Sequence, residues 1–183
     1  MMSANSSSIE QYLRPGRRAH RVGIGGVSMR PLGLVLRSMG MEITGSDMNA
    51  SVATEELQRS GITVYIGHRE ENIEGADCVI RTAAAHNDNP EIAAARAAGI
   101  PIFERAQAWG HLMRSYKNAI CVAGTHGKTT TTSMLTHIFM QAQRDPTVMI
   151  GGSLPLLGAG HRVGRGDTII LESCEYCNSK IFL

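Results

Sequence analysis

A short segment near the middle of the chain has the residue types needed to bind the phosphates of a nucleotide. It reads Gly124-Thr125-His126-Gly127-Lys128-Thr129 and lies between a predicted strand and a predicted helix. The general phosphate-loop pattern is G-x-x-x-x-G-K-[ST], and here the first glycine comes later, which makes the loop shorter. Successive backbone N–H groups can still surround phosphate oxygens in such a loop. The Lys128 ammonium can approach the outer phosphates, and the Thr129 hydroxyl can bind Mg²⁺.

Residues around this segment could complete the site. The four consecutive threonines Thr129–Thr132 are poor interior helix formers, so their place at a helix start favours hydroxyl chemistry and capping. For His126, ligand contact and a role in positioning the loop backbone both stay open. The apolar strand Thr168–Glu172 ends in an acid, and a carboxylate there can reach a metal ion at the phosphate loop. Glu175 is a second candidate, and an acid that merely ends a strand is the alternative.

A glycine-rich turn follows the first predicted strand. Gly23, Gly25 and Ser28 have the G-x-G-x-x-G spacing, with serine in the last position. Glycines allow a tight turn and close approach of a diphosphate, and the following helix directs its N–H groups at that anion. Asp47, 24 positions after Gly23, could accept hydrogen bonds from ribose hydroxyls. The ligand could be NAD, FAD or a sugar nucleotide, and a purely structural turn is also open.

Alternating strands and helices must position these residues. The predicted strands are Arg21–Ile24, Glu42–Gly45, Thr63–Ile66, Cys78–Thr82, Ile100–Phe103, Ala119–Ala123, Thr147–Ile150 and Thr168–Glu172. The predicted helices are 30–39, 51–59, 90–98, 104–114 and 129–142. This alternation predicts an α/β fold with parallel sheets and crossover helices. In the last helix, the spacing of four apolar residues predicts the core-facing side: Met134, Leu135, Ile138 and Phe139.

The order of these elements predicts two domains joined at Ser115–Asn118. Residues 1–18 are expected to be a flexible lead-in, residues 19–115 a Rossmann-like parallel-sheet domain, and residues 116–183 the first part of a P-loop ATPase-type α/β domain. Four arginines near the first strand are expected to be solvated: Arg14, Arg17, Arg18 and Arg21.

Composition narrows the class of protein. Hydrophobic residues make up 43% and aromatic residues 4%, so we expect a mostly aliphatic core. A net charge of +2 gives no case for nucleic acid as a partner. Residues 1–10 lack a signal peptide, and no apolar run approaches the roughly 20 residues that span a bilayer, so we expect a cytoplasmic protein without a membrane partner.

The four cysteines suit free thiols in a reducing compartment: Cys78, Cys121, Cys174 and Cys177. The last two form one C-x-x-C pair. Zinc binding is the alternative for that pair, but it would need further ligands at a suitable spacing, and none is obvious nearby.

Motifs along nearly the whole chain resemble those of the Mur ligase family. The matching segments, in order, are His20-Arg21-Val22-Gly23-Ile24-Gly25-Gly26, Gly45-Ser46-Asp47, Asp88-Asn89-Pro90-Glu91, Gly124 to Met134 and Glu172-Ser173-Cys174-Glu175-Tyr176. The shortened phosphate loop is the usual form in this family, so its mismatch with the general pattern supports the resemblance.

The resemblance implies an ATP- and Mg²⁺-dependent ligase that forms an amide. The family's first domain binds the UDP-sugar substrate, which here would be the role of Gly23, Gly25, Gly26, Ser28, Asp47 and Thr82. Its central domain binds ATP, which would be the role of Gly124, Thr125, His126, Gly127, Lys128, Thr129 and Thr130. The implied catalytic residues are Lys128, Thr129 and Glu172, of which Thr129 and Glu172 would bind Mg²⁺.

The implied substrates are UDP-N-acetylmuramate and L-alanine. In the family reaction an acyl phosphate forms on the lactyl carboxylate of the sugar nucleotide, and the amine then attacks it. A third, C-terminal domain of the family completes the site for ATP and the amino acid.

The sequence departs from the family pattern at several places. Arg30-Pro31 follow Met29 where a small residue pair is usual, and Arg81-Thr82-Ala83-Ala84 replace a serine-rich stretch. Lys180-Ile181 interrupt the pattern near the end, and family enzymes are more than twice as long. We therefore expect a truncated chain that does not catalyse ligation alone.

Three alternatives remain for function. One is a non-catalytic nucleotide-binding fragment, and another is a sister ligase that attaches a preformed peptide to the same sugar nucleotide. The third is a nicotinamide-dependent oxidoreductase, suggested by the glycine turn and Asp47, but it leaves Gly124–Thr132 unexplained.

Overall fold

The computed structural model of the chain describes residues 6–173. These residues fall into two compact units, which are divided between Ala108 and Trp109. The first unit contains α1 (Ser6–Tyr12), β1 (Arg18–Val22), α2 (Met29–Ser38), β2 (Glu42–Asp47), α3 (Val52–Arg59), β3 (Thr63–Ile66), a 3₁₀ turn (Glu70–Ile73), β4 (Cys78–Arg81), α4 (Pro90–Ala97) and β5 (Ile102–Glu104). Helix α5 (Arg105–Ser115) spans the division. The predicted domain boundaries, with the junction at the end of α5, stay a prediction.

The second unit contains the remaining elements. These are β6 (Asn118–Val122), α6 (Lys128–Gln141), β7 (Thr147–Leu154), a 3₁₀ turn (Pro155–Leu157), β8 (Ala159–Arg162) and β9 (Thr168–Glu172). In the part of the chain that the structure describes, no helix combines the length and apolarity that crossing a membrane requires.

The first unit is built on a five-stranded parallel sheet of order β3-β2-β1-β4-β5. Connections lead from β1 outward to one side and from β4 outward to the other, so the strand order reverses between β1 and β4. In such sheets ligands bind beyond the carboxyl ends of the strands near this reversal. The α/β fold class with a Rossmann-like parallel sheet is therefore confirmed.

Aliphatic side chains on the strands and helices form the core of this unit. Val22 and Val79, on neighbouring strands, pack with Ile92 of α4. Helix α4 begins where its sequence requires, because the side chain of Asn89 accepts hydrogen bonds from the backbone N–H groups of residues 91 and 92, and Pro90 fits the first helical position.

The first helix lies within the segment that the sequence predicts to be a flexible lead-in. Ile9 and Leu13, spaced i and i+4 and therefore on one side, are both almost completely buried. The ring of Tyr12 lies 5.9 Å from that of Phe103, measured between centroids. Sequence analysis missed this helix, because only two apolar residues mark its buried side and polar residues surround them.

Arg21 corrects the expectation of a solvated arginine cluster. Its side chain is fully buried, with Nη1 donating to the carbonyl of Met29 and the guanidinium packed against Gly33 of α2. Nε and Nη2 of Arg21 have no hydrogen-bond partner among residues 6–173. Burial lowers the pKa of Arg21 to about 9, because the charged form loses its hydration.

The second unit contains a four-stranded sheet of order β6-β9-β7-β8. Strands β6, β9 and β7 are parallel, and β8 pairs with β7 in the antiparallel sense. Sequence analysis missed β8, because this strand is short and the sequence Ala-Gly-His-Arg has low β-propensity. The core of this unit includes Val148, Ile150 and Ile170.

Helix α6 packs on a different face from the predicted one. Leu135 and Phe139 contact the core as expected, but Met134 and Ile138 are 55% and 61% exposed. The rest of the buried face consists of threonines 132 and 136, which complete an i, i+3, i+4, i+7 stripe. The Thr136 hydroxyl donates to the carbonyl of residue 132 at 2.7 Å, which satisfies this polar group inside the core.

Candidate functional site

The phosphate loop of the second unit connects β6 to α6 and is open to solvent. Gly127 has φ = +77° and directly precedes α6, a left-handed conformation that favours glycine. Thr125 and His126 between the two glycines of the loop are exposed. The N–H groups of the first turn of a helix have no partner within that helix, so this loop and helix start present donors to an anion.

Lys128 crosses the loop from the first turn of α6. Its ammonium donates to the carbonyl oxygen of Gly124 at 2.6 Å. The positive charge is thereby held over the segment that would surround the phosphates. Thr130 lies two positions further along α6 and is exposed, as Thr129 is.

Thr129 and Glu172 are brought together at the start of α6 and the end of β9. The Thr129 hydroxyl donates to Oε1 of Glu172 at 2.9 Å. Oε2 of Glu172 accepts from the backbone N–H of Gly151 at 2.7 Å, so two donors fix the carboxylate. Sequence analysis missed Gly151. A side chain at this position would collide with Glu172, because a Cβ there would lie 2.9 Å from Oε1.

The Thr129–Glu172 pair offers two oxygen atoms, the donor type that Mg²⁺ prefers. Among residues 6–173 there is no group of three or more His, Cys, Asp or Glu side chains suited to a metal ion. An oxygen pair suits Mg²⁺, which usually binds one or two protein ligands and takes the others from phosphate and water. Glu175, Cys174 and Cys177 lie outside the described residues.

The glycine turn of the first unit follows β1 and is held by β2. The N–H groups of Gly23 and Ile24 both donate to the carbonyl of Ser46 at 2.9 Å, and the N–H of Gly26 donates back to Gly23 at 3.2 Å. Gly23 has φ = +79°. A Cβ on Gly23 would also lie 2.7 Å from Cγ2 of Thr82, so Thr82 sits directly against the turn.

Asp47 binds the turn itself. Its Oδ2 accepts a hydrogen bond from the N–H of Gly25 at 2.9 Å. Ser28, the other predicted residue of this region, directly precedes α2. The six residues predicted to bind a UDP-sugar thus lie at the carboxyl ends of β1, β2 and β4, while their role in binding stays a prediction.

A buried carboxylate behind this turn was not recognised as part of the site. Glu91 of α4 is fully buried, and its oxygens accept from Ser46 Oγ at 2.6 Å and Asn72 Nδ2 at 2.6 Å. Nδ1 of His68 lies 3.2 Å from Oε2, and Nε2 of the buried His20 lies 3.6 Å from it. The sequence shows Asn89-Pro90-Glu91 only as a helix start, and nothing in it marks the burial of the acid.

Glu91 is ionised at neutral pH despite its burial. Burial alone would raise the pKa of this carboxyl, but the contacts with His20, Ser46 and Asn72 outweigh it and lower the pKa below its usual value.

A doubly wound parallel sheet with a glycine turn, followed by an α/β unit with a phosphate loop and a strand-end acid, is an architecture typical of nucleotide-using α/β enzymes. The sequence profile described as Mur ligase family, catalytic domain, matches residues 18–117. The chain belongs to the Mur ligase family.

Individual relatives agree with this assignment. The chain is 47% identical over 163 residues to a UDP-N-acetylmuramate–L-alanine ligase of Clostridium botulinum, covering 89% of this chain and 36% of that relative. The crystal structure of a UDP-N-acetylmuramate–alanine ligase from Thermotoga maritima matches with a TM-score of 0.77 and 35% identity, over 85% of this chain and 37% of that one. A murein peptide ligase of Psychrobacter arcticus matches with a TM-score of 0.79 and 27% identity, over 88% of this chain and 38% of that one. The chain thus spans little more than a third of the length of these relatives.

Proposed function

We propose that this chain is the UDP-sugar-binding and ATP-binding part of a ligase that joins L-alanine to UDP-N-acetylmuramate in the cytoplasm, in peptidoglycan precursor synthesis. The observation that carries the proposal is the contact of 2.9 Å between the Thr129 hydroxyl and Glu172 beside an exposed phosphate loop. The 47% identity to an L-alanine ligase supports the choice of reaction.

In the second unit, residues 124–130 would hold ATP. Backbone N–H groups of the loop would donate to phosphate oxygens, and Lys128 would exchange its contact with the Gly124 carbonyl for the outer phosphates. Thr129 and Glu172 would hold Mg²⁺, which when bound neutralises charge on the phosphates.

In the first unit, the glycine turn would hold the diphosphate of the UDP-sugar. The N–H groups at the start of α2 favour an anion there. Gly23, Gly25 and Gly26 would let the diphosphate approach the backbone, with Ser28 and Thr82 at its sides. Asp47 has one carboxylate oxygen on the turn, and the second would accept from the ribose hydroxyls.

The overall reaction consumes ATP to activate a poor acyl donor. The lactyl carboxylate takes the γ-phosphoryl group and releases ADP, which gives an acyl phosphate with a good leaving group. The L-alanine amine then attacks the acyl carbon, and phosphate leaves as the amide forms. This chain's residues would serve the first step by positioning ATP and offsetting its charge.

Calorimetric titration of the 183-residue chain with UDP-N-acetylmuramate, and separately with ATP and Mg²⁺, tests the two binding assignments. We expect both ligands to bind. Lys128→Ala should weaken ATP binding and leave the UDP-sugar unaffected, because Lys128 belongs to the second unit. Lys117→Ala, an exposed lysine in the same unit, is the matched control. ATP binding unchanged by Lys128→Ala would contradict the phosphate-loop assignment.

A second candidate function is attachment of a preformed peptide to the same sugar nucleotide. The murein peptide ligase matches this chain with a TM-score of 0.79, as well as the L-alanine ligase does with 0.77, while its lower identity of 27% against 35% favours the L-alanine reaction. Both reactions use the same sugar nucleotide, so its binding does not separate them. ADP release in the presence of UDP-N-acetylmuramate and either L-alanine or a peptide does separate them, when it is measured on a protein that also contains the C-terminal domain expected to complete the amino-acid site.

A further inference from the structure

The buried carboxylate of Glu91 connects two histidines with the strand that holds the glycine turn. Its partners come from four other parts of the first unit: His20 from β1, Ser46 from β2, His68 from the segment after β3, and Asn72 from the 3₁₀ turn. Because His20, Ser46 and Glu91 are fully buried, none of them can exchange these partners for water. The hydrogen bonds of Ser46 and Glu91 are therefore made within the protein, whereas Nε2 of His20, 3.6 Å from Oε2 of Glu91, is beyond hydrogen-bond distance.

The contacts assign the proton positions in this network. An ionised carboxylate only accepts hydrogen bonds, so the Ser46 hydroxyl donates its proton to Glu91 at 2.6 Å. Ser46 Oγ must then accept from Nδ1 of His68, which lies 2.9 Å away. Both neighbours of this nitrogen, Ser46 Oγ and Glu91 Oε2, are acceptors, so His68 carries its proton on Nδ1. Its Nε2 is left as an acceptor in the neutral ring.

Nε2 of His68 is directed away from this network. The side chain of His68 is 14% exposed, whereas that of Glu91 is completely enclosed. Nε2 of His68 has no hydrogen bond within residues 6–173 and is not one of the enclosed, unpartnered atoms of that part of the chain. His68 therefore presents a fixed acceptor at the surface.

The position of His68 places this acceptor beside the nucleotide end of the glycine turn. His68 follows β3, and the last pair between β2 and β3 joins Asp47 with Ile66. Ser46 contacts His68 through its hydroxyl and the turn residues Gly23 and Ile24 through its carbonyl. One residue thus connects the histidine and the turn rigidly.

We propose that Glu91 is a positioning residue which fixes His68 in the Nδ1–H form, and that Nε2 of His68 accepts a hydrogen bond from the nucleoside of the bound sugar nucleotide. The donor is a ribose hydroxyl or the imide N–H of a uracil base. The ligand contact rests on the proposed function, whereas the tautomer of His68 does not.

The tautomer is measured by ¹⁵N–¹H correlation of the histidine rings in the full 183-residue chain at neutral pH. The signal of His68 is identified as the one that disappears in His68→Asn. We expect His68 to show a protonated Nδ1 and an unprotonated Nε2. Glu91→Gln should produce a mixture of tautomers, because a neutral amide can donate as well as accept. Glu71→Gln, an exposed glutamate in the adjacent 3₁₀ turn, should leave the spectrum unchanged. A protonated Nε2 with a bare Nδ1 in the wild-type chain would overturn the assignment.

The ligand contact is tested by titration with UDP. His68→Asn keeps a donor near the position of Nδ1 and removes Nε2, so we expect UDP to bind about 3- to 10-fold more weakly. His68→Gln, whose amide oxygen reaches the position of Nε2, should recover most of this loss. His86→Asn, an exposed histidine of the same unit, should have no effect. Glu91→Gln should weaken binding as His68→Asn does.

Three UDP analogues separate the possible donors. N3-methyl-UDP removes the imide donor, and 2′-deoxy-UDP and 3′-deoxy-UDP each remove one ribose hydroxyl. One of them should bind equally to the wild-type chain and to His68→Asn. Binding of UDP that is unaffected by His68→Asn would overturn the ligand contact alone, whereas no binding of UDP to the wild-type chain would overturn the proposed function with it. If Glu91→Gln does not fold, the tautomer of His68 in the wild-type chain still tests the proton assignment, and the two His68 variants still test the ligand contact.

Discussion

The hydroxyl of Thr129 donates to Oε1 of Glu172 at 2.9 Å, which joins the first turn of α6 to the end of β9. The second oxygen of the carboxylate is held by the Gly151 N–H. A residue at the start of a helix and a residue at the end of a parallel strand thus share one hydrogen bond, 43 positions apart in the chain.

The first prediction concerns this oxygen pair. Glu172→Gln should reduce the Mg²⁺-dependent affinity for ATP by about tenfold or more, because it removes the negative charge that would bind the cation. Thr129→Val should reduce it too, by removing the hydroxyl. Affinity is measured by calorimetry with and without Mg²⁺. Asp167→Asn, an exposed acid in the same unit, is the control, and an equal loss without Mg²⁺ would contradict a metal role.

The second prediction concerns the hydrogen bond from the N–H of Gly25 to the carboxylate of Asp47. Asp47→Ala should lower the free energy of unfolding by about 1–3 kcal/mol, because the partly buried N–H of Gly25 loses its charged acceptor. Asp47→Asn should cost less, since its amide oxygen can still accept. Thermal and urea unfolding measure the effect. Asp88→Ala, which removes an exposed acid in the same unit, should have nearly the wild-type stability. Wild-type stability of Asp47→Ala would contradict a stabilising role for this hydrogen bond.

The third prediction concerns the buried guanidinium of Arg21. Arg21→Met should raise the free energy of unfolding by about 1–4 kcal/mol, because a buried charge without an opposite partner is replaced by an apolar side chain. Arg14→Met should change stability by less than about 0.5 kcal/mol, since Arg14 is exposed. Urea unfolding at neutral pH measures both.

This gain should depend on pH in a defined direction. The pKa of Arg21 is about 9 in the folded chain, well below its ordinary value, so above pH 9 the folded chain loses a proton that the unfolded chain still binds. The destabilisation by Arg21 is fully present below pH 9 and is relieved as the pH rises above this value. The difference in stability between Arg21→Met and wild type should therefore shrink above pH 9, and a difference that grows would contradict the assignment.

The fourth prediction concerns thiol reactivity. Burial raises the pKa of Cys78 to about 12, so almost no thiolate is present at pH 8. Cys78 should resist iodoacetamide in the folded chain and react after unfolding, as mapped by mass spectrometry. Cys121, whose pKa burial also raises, is only half-buried and should react faster than Cys78. Labelling of Cys78 at the rate of an exposed thiol would show that β4 is accessible.

Much of the fold was predictable from local patterns. The predicted strands Thr63–Ile66 and Thr168–Glu172 agree with β3 and β9, because a short run of β-branched and other apolar residues bounded by polar residues marks a strand by itself. The Asn-Pro pair at residues 89 and 90 marks the start of α4 for an equally local reason. Strand β8 was missed because its own sequence does not favour an extended backbone, which is stabilised by pairing with β7.

The sequence by itself determined the parts whose physics is local: the glycine turn, the phosphate loop and the strands and helices on either side of each. Only the tertiary structure decided which distant side chains meet and which become buried. Burial of Arg21 and Glu91, the partners of His68, and the threonine face of α6 all depend on which elements pack together. The type of a charged or polar residue does not reveal whether it is exposed or buried. Its burial and its partners are set by residues far away in the chain, which the fold brings close.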